Sequence, residues 1–173
     1  KLFLKEKPFV VGLRVLTGPC IPRALLISKI AKKHGINVMW GGPHPTILPK
    51  QTLENEYIDA VCIGEGEIAI LDLLSYFEGK KKTVLGSGIK QNGKIKIFPP
   101  QKKTVDFKNL HLPAWDLLEE IDRYFPDKNH NSLPISTTRG CAFKCGFCHN
   151  SNENVKKFLG CYRIAEPQRA IDE

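Results

Sequence analysis

The sequence lacks any apolar run long enough to cross a lipid bilayer. A membrane-spanning helix needs about 20 consecutive, mostly apolar residues, and charged or turn-forming residues interrupt every apolar stretch of this chain well before that length. A charged-then-apolar leader followed by a cleavage site is also missing from these residues. We therefore expect a cytoplasmic chain.

Internal repeats and low-complexity segments are also missing from the sequence. The 173 residues include 42% hydrophobic and 25% charged residues, a balance typical of a globular protein with a packed core. This length suits one ordinary domain, or one small domain and a piece of another.

A clustered basic patch is a further missing feature. Lys and Arg number 26 and Asp and Glu 18, which gives a net charge of +8. The lysines are scattered along the chain without the interleaved aromatic residues that single-stranded nucleic acids stack on. We interpret the positive charge as solvated surface and do not expect nucleic acid as a partner.

The segment "TTRGCAFKCGFCHN" has three cysteines within eight residues but no fourth cysteine at a similar spacing. A structural zinc site needs four ligands, which Cys161 or His149 could complete. Such a zinc module with a basic surface facing nucleic acid is one hypothesis. The other is a 4Fe–4S cluster whose fourth iron keeps an open position for catalysis. The isolated Cys20 and Cys62 are interpreted as small buried residues.

The spacing Cys141-x3-Cys145-x2-Cys148, with Phe147 before the last cysteine, resembles the signature of the radical S-adenosylmethionine enzymes. The resemblance implies that the three cysteines hold a 4Fe–4S cluster and that S-adenosylmethionine chelates the open iron. It also implies a packing role for Phe147 beside the cluster. Reductive cleavage of S-adenosylmethionine to a 5′-deoxyadenosyl radical would then need an electron donor such as ferredoxin or flavodoxin.

Upstream of the cysteines, strand and helix patterns alternate. Apolar, β-branched runs at 8–18, 36–40 and 59–64 predict strands, the first of them buried on both faces, and helices are predicted at 21–35, 50–56 and 67–79. This order predicts an α/β fold with a parallel sheet, whose ligands bind at the carboxyl ends of the strands. Asn92 and Gly93 between alternating runs predict a hairpin over 84–98, and a short helix is predicted around 115–121.

The upstream segments "VVGLRVLTGP", "GGPHPTILP" and "DAVCIGEGE" resemble the Rossmann-like cobalamin-binding domain of one radical S-adenosylmethionine subclass, which includes the anaerobic cyclase of magnesium-protoporphyrin monomethyl ester. Gly41 and Gly42 match the glycine pair that approaches the cofactor's nucleotide tail, so the resemblance implies cobalamin as a further cofactor. Two features depart from that domain. An Asp-x-His-x-x-Gly loop is missing, so His44 is not assigned to cobalt, and Arg14 replaces a small hydroxyl residue and would crowd the corrin tail.

We divide the chain into a partial cobalamin-binding-like Rossmann domain (1–83), a hairpin and linker (84–132), and the start of a radical S-adenosylmethionine barrel with the cluster loop (133–173). Only 25 residues follow Cys148, far fewer than the rest of a barrel needs. We therefore expect a fragment of such an enzyme that is too short to be active alone. Its substrate and reaction stay open.

Overall fold

Three parallel strands and an antiparallel hairpin form one five-stranded sheet. The computed structural model describes residues 5–101, 104–118 and 135–173. In chain order, its strands and α-helices are β1 (Val10–Arg14), α1 (Cys20–Lys33), β2 (Asn37–Gly41), α2 (Pro43–Ile47), α3 (Pro49–Glu54), β3 (Ala60–Cys62), α4 (Gly66–Phe77), β4 (Ser87–Gln91), β5 (Lys94–Ile97), β6 (Thr138–Arg139), α5 (Glu153–Leu159), β7 (Arg163–Ile164) and α6 (Pro167–Asp172). Short 3₁₀ helices cover Phe107–Asn109, Trp115–Leu117 and His149–Ser151.

The strand order in the sheet is β1-β2-β3-β4-β5. β1 pairs with β2, and β2 with β3, in parallel, whereas β4 is antiparallel to both β3 and β5. The predicted hairpin is present, with Asn92 and Gly93 both at positive φ (50° and 73°), as its tight turn requires. The hairpin strands β4 and β5 belong to the same sheet as β1, β2 and β3. The predicted α/β fold with a Rossmann-like parallel sheet is confirmed.

Helices cover the two faces of this sheet and bury two groups of apolar side chains. On one face, α1 packs over β1 and β2, and α3 packs over β3 and the hairpin. Trp40, Val38 and Leu53 are at most 1% exposed there. On the other face, α4 packs over β3 and the hairpin, where Leu73 and Ile89 are buried. Burying such side chains is the main source of stability for the sheet.

The prediction that the first strand is buried on both faces is wrong. Val11 is buried, but Gly12 and Arg14 are exposed. The reason is that β1 lies at the edge of the sheet while α4 packs against β3 and the hairpin instead.

Two further differences concern short elements. The segment after Gly42, predicted as a turn-rich loop, is helical over Pro43–Ile47, because a proline at the first helical position is already set to helical φ. The helix predicted around 115–121 is a 3₁₀ helix over Trp115–Leu117, and its remainder from residue 119 lies outside the described residues.

In the segment predicted as the start of a barrel, the strand before the cysteines, β6, is two residues long where the structure describes it. β6 pairs antiparallel with β7 and forms a separate two-stranded sheet, and residues 132–134 lie outside the described part of the chain. Within the described residues, no helix is long and apolar enough to span a membrane.

Candidate functional site

The carboxyl end of β2 carries the glycine pair that was predicted to contact a cofactor. The Val15 amide donates to the Gly41 carbonyl (2.8 Å), which holds β1 against β2. Gly42 has a φ of 93°, and a β-carbon there would lie 3.2 Å from the backbone of Val15 and 3.0 Å from Cγ of Arg14. The fold itself therefore requires glycine at position 42.

His44 follows this pair and is held inside the fold. Its ring Nδ1 lies 3.1 Å from the Thr17 hydroxyl, and its amide donates to the Val15 carbonyl (3.0 Å). The side chain is buried, and burial lowers the pKa of the imidazole. His44 makes these contacts from α2 and connects the loop after β1 with the loop after β2.

Thr46 connects the loops after β2 and β3, a link that sequence reasoning missed. Its hydroxyl donates to the Gly42 carbonyl (2.8 Å) and accepts a hydrogen bond from the Gly64 amide (3.0 Å). A threonine in the first turns of a short helix gave no sequence signal of this role. The bonds fix the two glycine loops at the same edge of the sheet.

The chain after the cysteines packs directly against this edge. Gly64 has a φ of 79°, and a β-carbon there would lie 2.5 Å from the Phe158 carbonyl oxygen and 2.8 Å from Phe158 Cβ. α5 therefore lies against the loop after β3 at a distance that only glycine permits. The close approach brings the cysteine-containing segment to the ligand-binding edge.

Two carboxylates and two guanidinium groups lie at the same junction. Arg139 contacts Glu67 (Nη2 to Oε1, 2.5 Å), and Arg163 makes a two-point contact with Glu65. Burial alone would raise the pKa of the Glu67 carboxyl, but the hydrogen bond and charge of Arg139, with the charge of Arg163, hold that pKa below its ordinary value. The sequence placed the two glutamates at a helix start and gave no sign of their arginine partners.

The three predicted cluster cysteines lie on a surface loop between β6 and the 3₁₀ helix that begins at His149. Cys145 is exposed, Cys141 and Cys148 are half-buried, and all three are free thiols. The Cys148 amide donates to the Cys145 carbonyl (3.1 Å), which makes a tight turn between these two. Phe147 is 95% exposed.

The sulfur atoms of this loop are not gathered around a common point. Within the described ranges, no three His, Cys, Asp or Glu side chains form a group that could hold a metal ion. Cys161 and His149, the two residues considered as a fourth zinc ligand, also belong to no such group within those ranges. The assignment of the three cysteines to a cluster, and of Phe147 to its surroundings, stays a prediction.

The other two cysteines differ from each other. Cys62 is buried as predicted, and burial, with the charge of Glu67, raises the pKa of its thiol to about 12. The prediction that Cys20 is buried is wrong: it is exposed, because it is the first residue of α1 and lies in the turn that enters the helix.

A cavity of about 450 Å³ opens where these parts meet. Its lining combines the carboxyl edge of the sheet with residues on both sides of the cysteine loop. Among the lining residues are Arg14, Gly42, Thr46, Gly64, Arg139, Gly140, His149 and Asn150. Its volume is within the range of small-molecule sites. Such a position, beyond the carboxyl ends of parallel strands, is where α/β sheets bind ligands.

A comparison with known protein families matches the part of the chain that contains β1 to β3. Residues 2–74 match the family model of the B12 binding domain. The chain carries a B12-binding domain. The matched residues include β1 to β3, the Gly41–Gly42 loop and most of α4. The hairpin and the cysteine loop lie beyond them.

The similarity to curated proteins extends past the B12-binding domain. The chain is 35% identical over 165 residues to an uncharacterized methyltransferase of Pyrococcus horikoshii, covering 92% of this chain and 35% of that protein. It is 32% identical over 177 residues to the anaerobic magnesium-protoporphyrin IX monomethyl ester cyclase of Rubrivivax gelatinosus, covering 96% of this chain and 30% of the cyclase. The chain thus spans about a third of the length of these two relatives.

A solved structure shares the fold. The cobalamin-dependent S-adenosylmethionine radical enzyme OxsB, solved with aqua-cobalamin and S-adenosylmethionine bound, aligns with 99% of this chain and 23% of its own at a TM-score of 0.73. Sequence identity is 24%, so the likeness concerns the fold. The alignment includes the B12-binding domain and the segment that follows it.

Proposed function

We propose that this chain is the cobalamin- and cluster-binding part of a radical S-adenosylmethionine enzyme. In this proposal the B12-binding domain holds a cobalamin at the carboxyl edge of its sheet, and Cys141, Cys145 and Cys148 hold a 4Fe–4S cluster. The rest of the protein would supply the substrate site, and a ferredoxin or flavodoxin would supply electrons. The substrate and the reaction of the whole protein are not part of the proposal.

One observation carries the proposal: the glycine loops at the sheet edge and the residues that flank the cysteine loop line a single cavity. Gly42 and Gly64 line it from the sheet, and Gly140 and His149 line it from either side of the cysteine loop. Radical chemistry needs its cofactors close together, because effective molarity comes from holding the reacting groups in place.

The donor chemistry of the cysteine loop fits a cluster with an open iron. Three free thiols at the surface can each bind one iron of a 4Fe–4S cluster, while the fourth stays available. The cluster, when bound, supplies the electron that cleaves S-adenosylmethionine. The loop's own contribution would be to present three thiolates at the surface.

The loop after β2 lines the proposed cobalamin site with uncharged residues, Gly42, Pro43 and Thr46. Gly42 permits close approach to the chain at the end of β2, and the hydroxyl of Thr46 fixes the neighbouring loop. The His44 imidazole is buried, and its Nδ1 lies 3.1 Å from the Thr17 hydroxyl, which supports leaving it unassigned to cobalt. On the β1 side, the cationic side chain of Arg14 lines the cavity.

Anaerobic reconstitution with iron and sulfide tests the cluster assignment. We expect about four irons per chain, a loss of iron in Cys145→Ser, and no loss in the matched control Cys161→Ser. A colourless protein with one tightly bound zinc that Cys161→Ser releases would overturn the assignment and favour the four-ligand zinc module. Titration with hydroxocobalamin, followed by its absorbance, tests the second cofactor, and a spectrum unchanged by the protein would contradict it.

A further inference from the structure

Two arginines face each other across the short β6–β7 ladder. Arg139 and Arg163 are direct partners in this antiparallel pairing, which contains only one other residue pair. Like charges placed directly opposite each other destabilise a ladder. Two residues per strand supply few backbone hydrogen bonds to offset that repulsion, so the pairing needs a counter-charge.

Glu65 supplies this counter-charge from the other side of the junction. Its carboxylate makes a two-point contact with Arg163 and lies 3.6 Å from Nη1 of Arg139. The side chains of Glu65 and Arg163 are only 13% and 15% exposed, so solvent screens this interaction weakly. Glu67 adds a contact with Arg139 alone.

Arg163 also binds the backbone on both sides of the cysteine segment. It donates to the carbonyls of Val105 (2.7 Å), Leu159 (3.2 Å) and Cys161 (3.3 Å). These bonds connect Val105, in the chain that follows the hairpin, with Leu159 at the end of α5 and with Cys161, two residues before β7. A guanidinium held by one carboxylate therefore fixes three segments together.

β6 leads directly into the cysteine loop. Gly140 follows Arg139, and a β-carbon at Gly140 would lie 2.6 Å from the Cys161 carbonyl oxygen. The start of the cysteine loop therefore contacts the segment that leads into β7. The position of the start of the cysteine loop, which follows the cavity-lining Gly140, therefore depends on the β6–β7 pairing.

We propose that Glu65 is a positioning residue that holds the cysteine loop over the carboxyl edge of the sheet, by neutralising the opposed Arg139 and Arg163. The cysteine loop matters to catalysis only if the proposed function is right, but the positioning itself can be measured without any cofactor.

Hydrogen exchange of the full chain, followed by mass spectrometry, tests the proposal. The variant is Glu65→Gln, which keeps the shape and removes the charge. We expect exchange in peptides covering 136–165 to increase about tenfold, the effect of losing a charge-assisted bond, with peptides covering 36–41 and 60–63 unchanged. The matched control is Glu78→Gln, because Glu78 pairs with Lys80 at an exposed site (2.7 Å) and its loss is expected to change neither region.

A charge-retaining variant separates neutralisation from simple packing. Glu65→Asp keeps a carboxylate near both arginines, so we expect exchange between that of the original chain and that of Glu65→Gln. Exchange equal to that of Glu65→Gln, an increase spread evenly over the sheet, or no increase in either variant would overturn the proposal.

The cluster provides a second readout. In reconstituted Glu65→Gln we expect the same iron content but faster iron loss to a chelator than in Glu78→Gln, since the thiol ligands are intact and only their position is less well held. Equal rates of loss would contradict the positioning role. If the original chain takes up no iron, the proposed function fails, whereas the exchange measurement still decides the role of Glu65.

Discussion

Gly64 lies so close to Phe158 that a β-carbon at position 64 would stand 2.5 Å from the Phe158 carbonyl oxygen. This contact joins the B12-binding domain to the helix that follows the cysteines. It is made at a backbone conformation, φ of 79°, that favours glycine. The position of α5 relative to the loop after β3 therefore depends on a residue with no side chain.

Replacing Gly64 tests this junction. We expect Gly64→Ala to lower the free energy of unfolding by about 3 kcal/mol, because it combines backbone strain with overpacking. The matched control is Gly79→Ala, which has a similar φ of 75° and no atom within 4 Å of the added carbon. The control should cost only about 1 kcal/mol.

Urea denaturation of both variants gives the comparison. Equal losses would mean that α5 is not held against the loop after β3. A larger loss in Gly79→Ala would contradict the packing outright.

Acid should weaken the Glu67–Arg139 contact. The folded state holds the pKa of Glu67 below its ordinary value, so the stabilisation is fully present above about pH 4.3 and is lost as pH falls through the lower, folded-state pKa. Glu67→Gln should thus be less stable than the original chain by up to about 1 kcal/mol near neutral pH. The gap should close as the pH falls below the folded-state pKa of Glu67.

Urea midpoints measured at several pH values check this dependence. A gap that stays constant down to acid pH would show that the carboxylate charge does not contribute. A gap that widens in acid would reverse the sign of the proposed effect.

Arg14 should decide how well the cavity accepts a cobalamin. Its side chain lies against Gly42 and lines the cavity, so we expect Arg14→Ser to bind hydroxocobalamin several-fold more tightly by relieving crowding. Arg23→Ser, which removes an exposed charge from α1, is the control and should leave affinity unchanged. Weaker binding by Arg14→Ser would mean that the guanidinium contacts the cofactor instead.

Alkylation of the cysteines should report the ligand set. Before reconstitution, iodoacetamide should label the exposed Cys20, Cys145 and Cys161 but spare Cys62, because burial raises the pKa of its thiol to about 12. After reconstitution, Cys145 should be protected together with Cys141 and Cys148, while Cys20 and Cys161 stay reactive. Protection of Cys161 would contradict a three-cysteine cluster.

Much of the sheet was predictable because its signals are local. Apolar runs bounded by glycine and proline predicted the strands around Val38 and Val61, and Asn92-Gly93 predicted the hairpin turn. The burial of β1 was not predictable, because an apolar run does not reveal which strand lies at the edge of a sheet. The exposure of Cys20 depended in the same way on its position at the entry to a helix.

The candidate site was predictable only in part, since most of it depends on contacts between distant residues. The spacing of Cys141, Cys145 and Cys148 is visible in eight residues. The pairing of Glu65 with Arg163 joins residues 98 positions apart and has no local signature. Thr46, which links two loops through one hydroxyl, also has no sequence pattern that would have identified it.

The central claim is that the three-cysteine loop holds a cluster with an open iron. The most direct test is electron paramagnetic resonance of the anaerobically reconstituted and reduced chain, recorded with and without S-adenosylmethionine. The account predicts a reduced-cluster signal that shifts when S-adenosylmethionine is added. A cluster signal that is the same in both spectra, or no cluster at all, would contradict it.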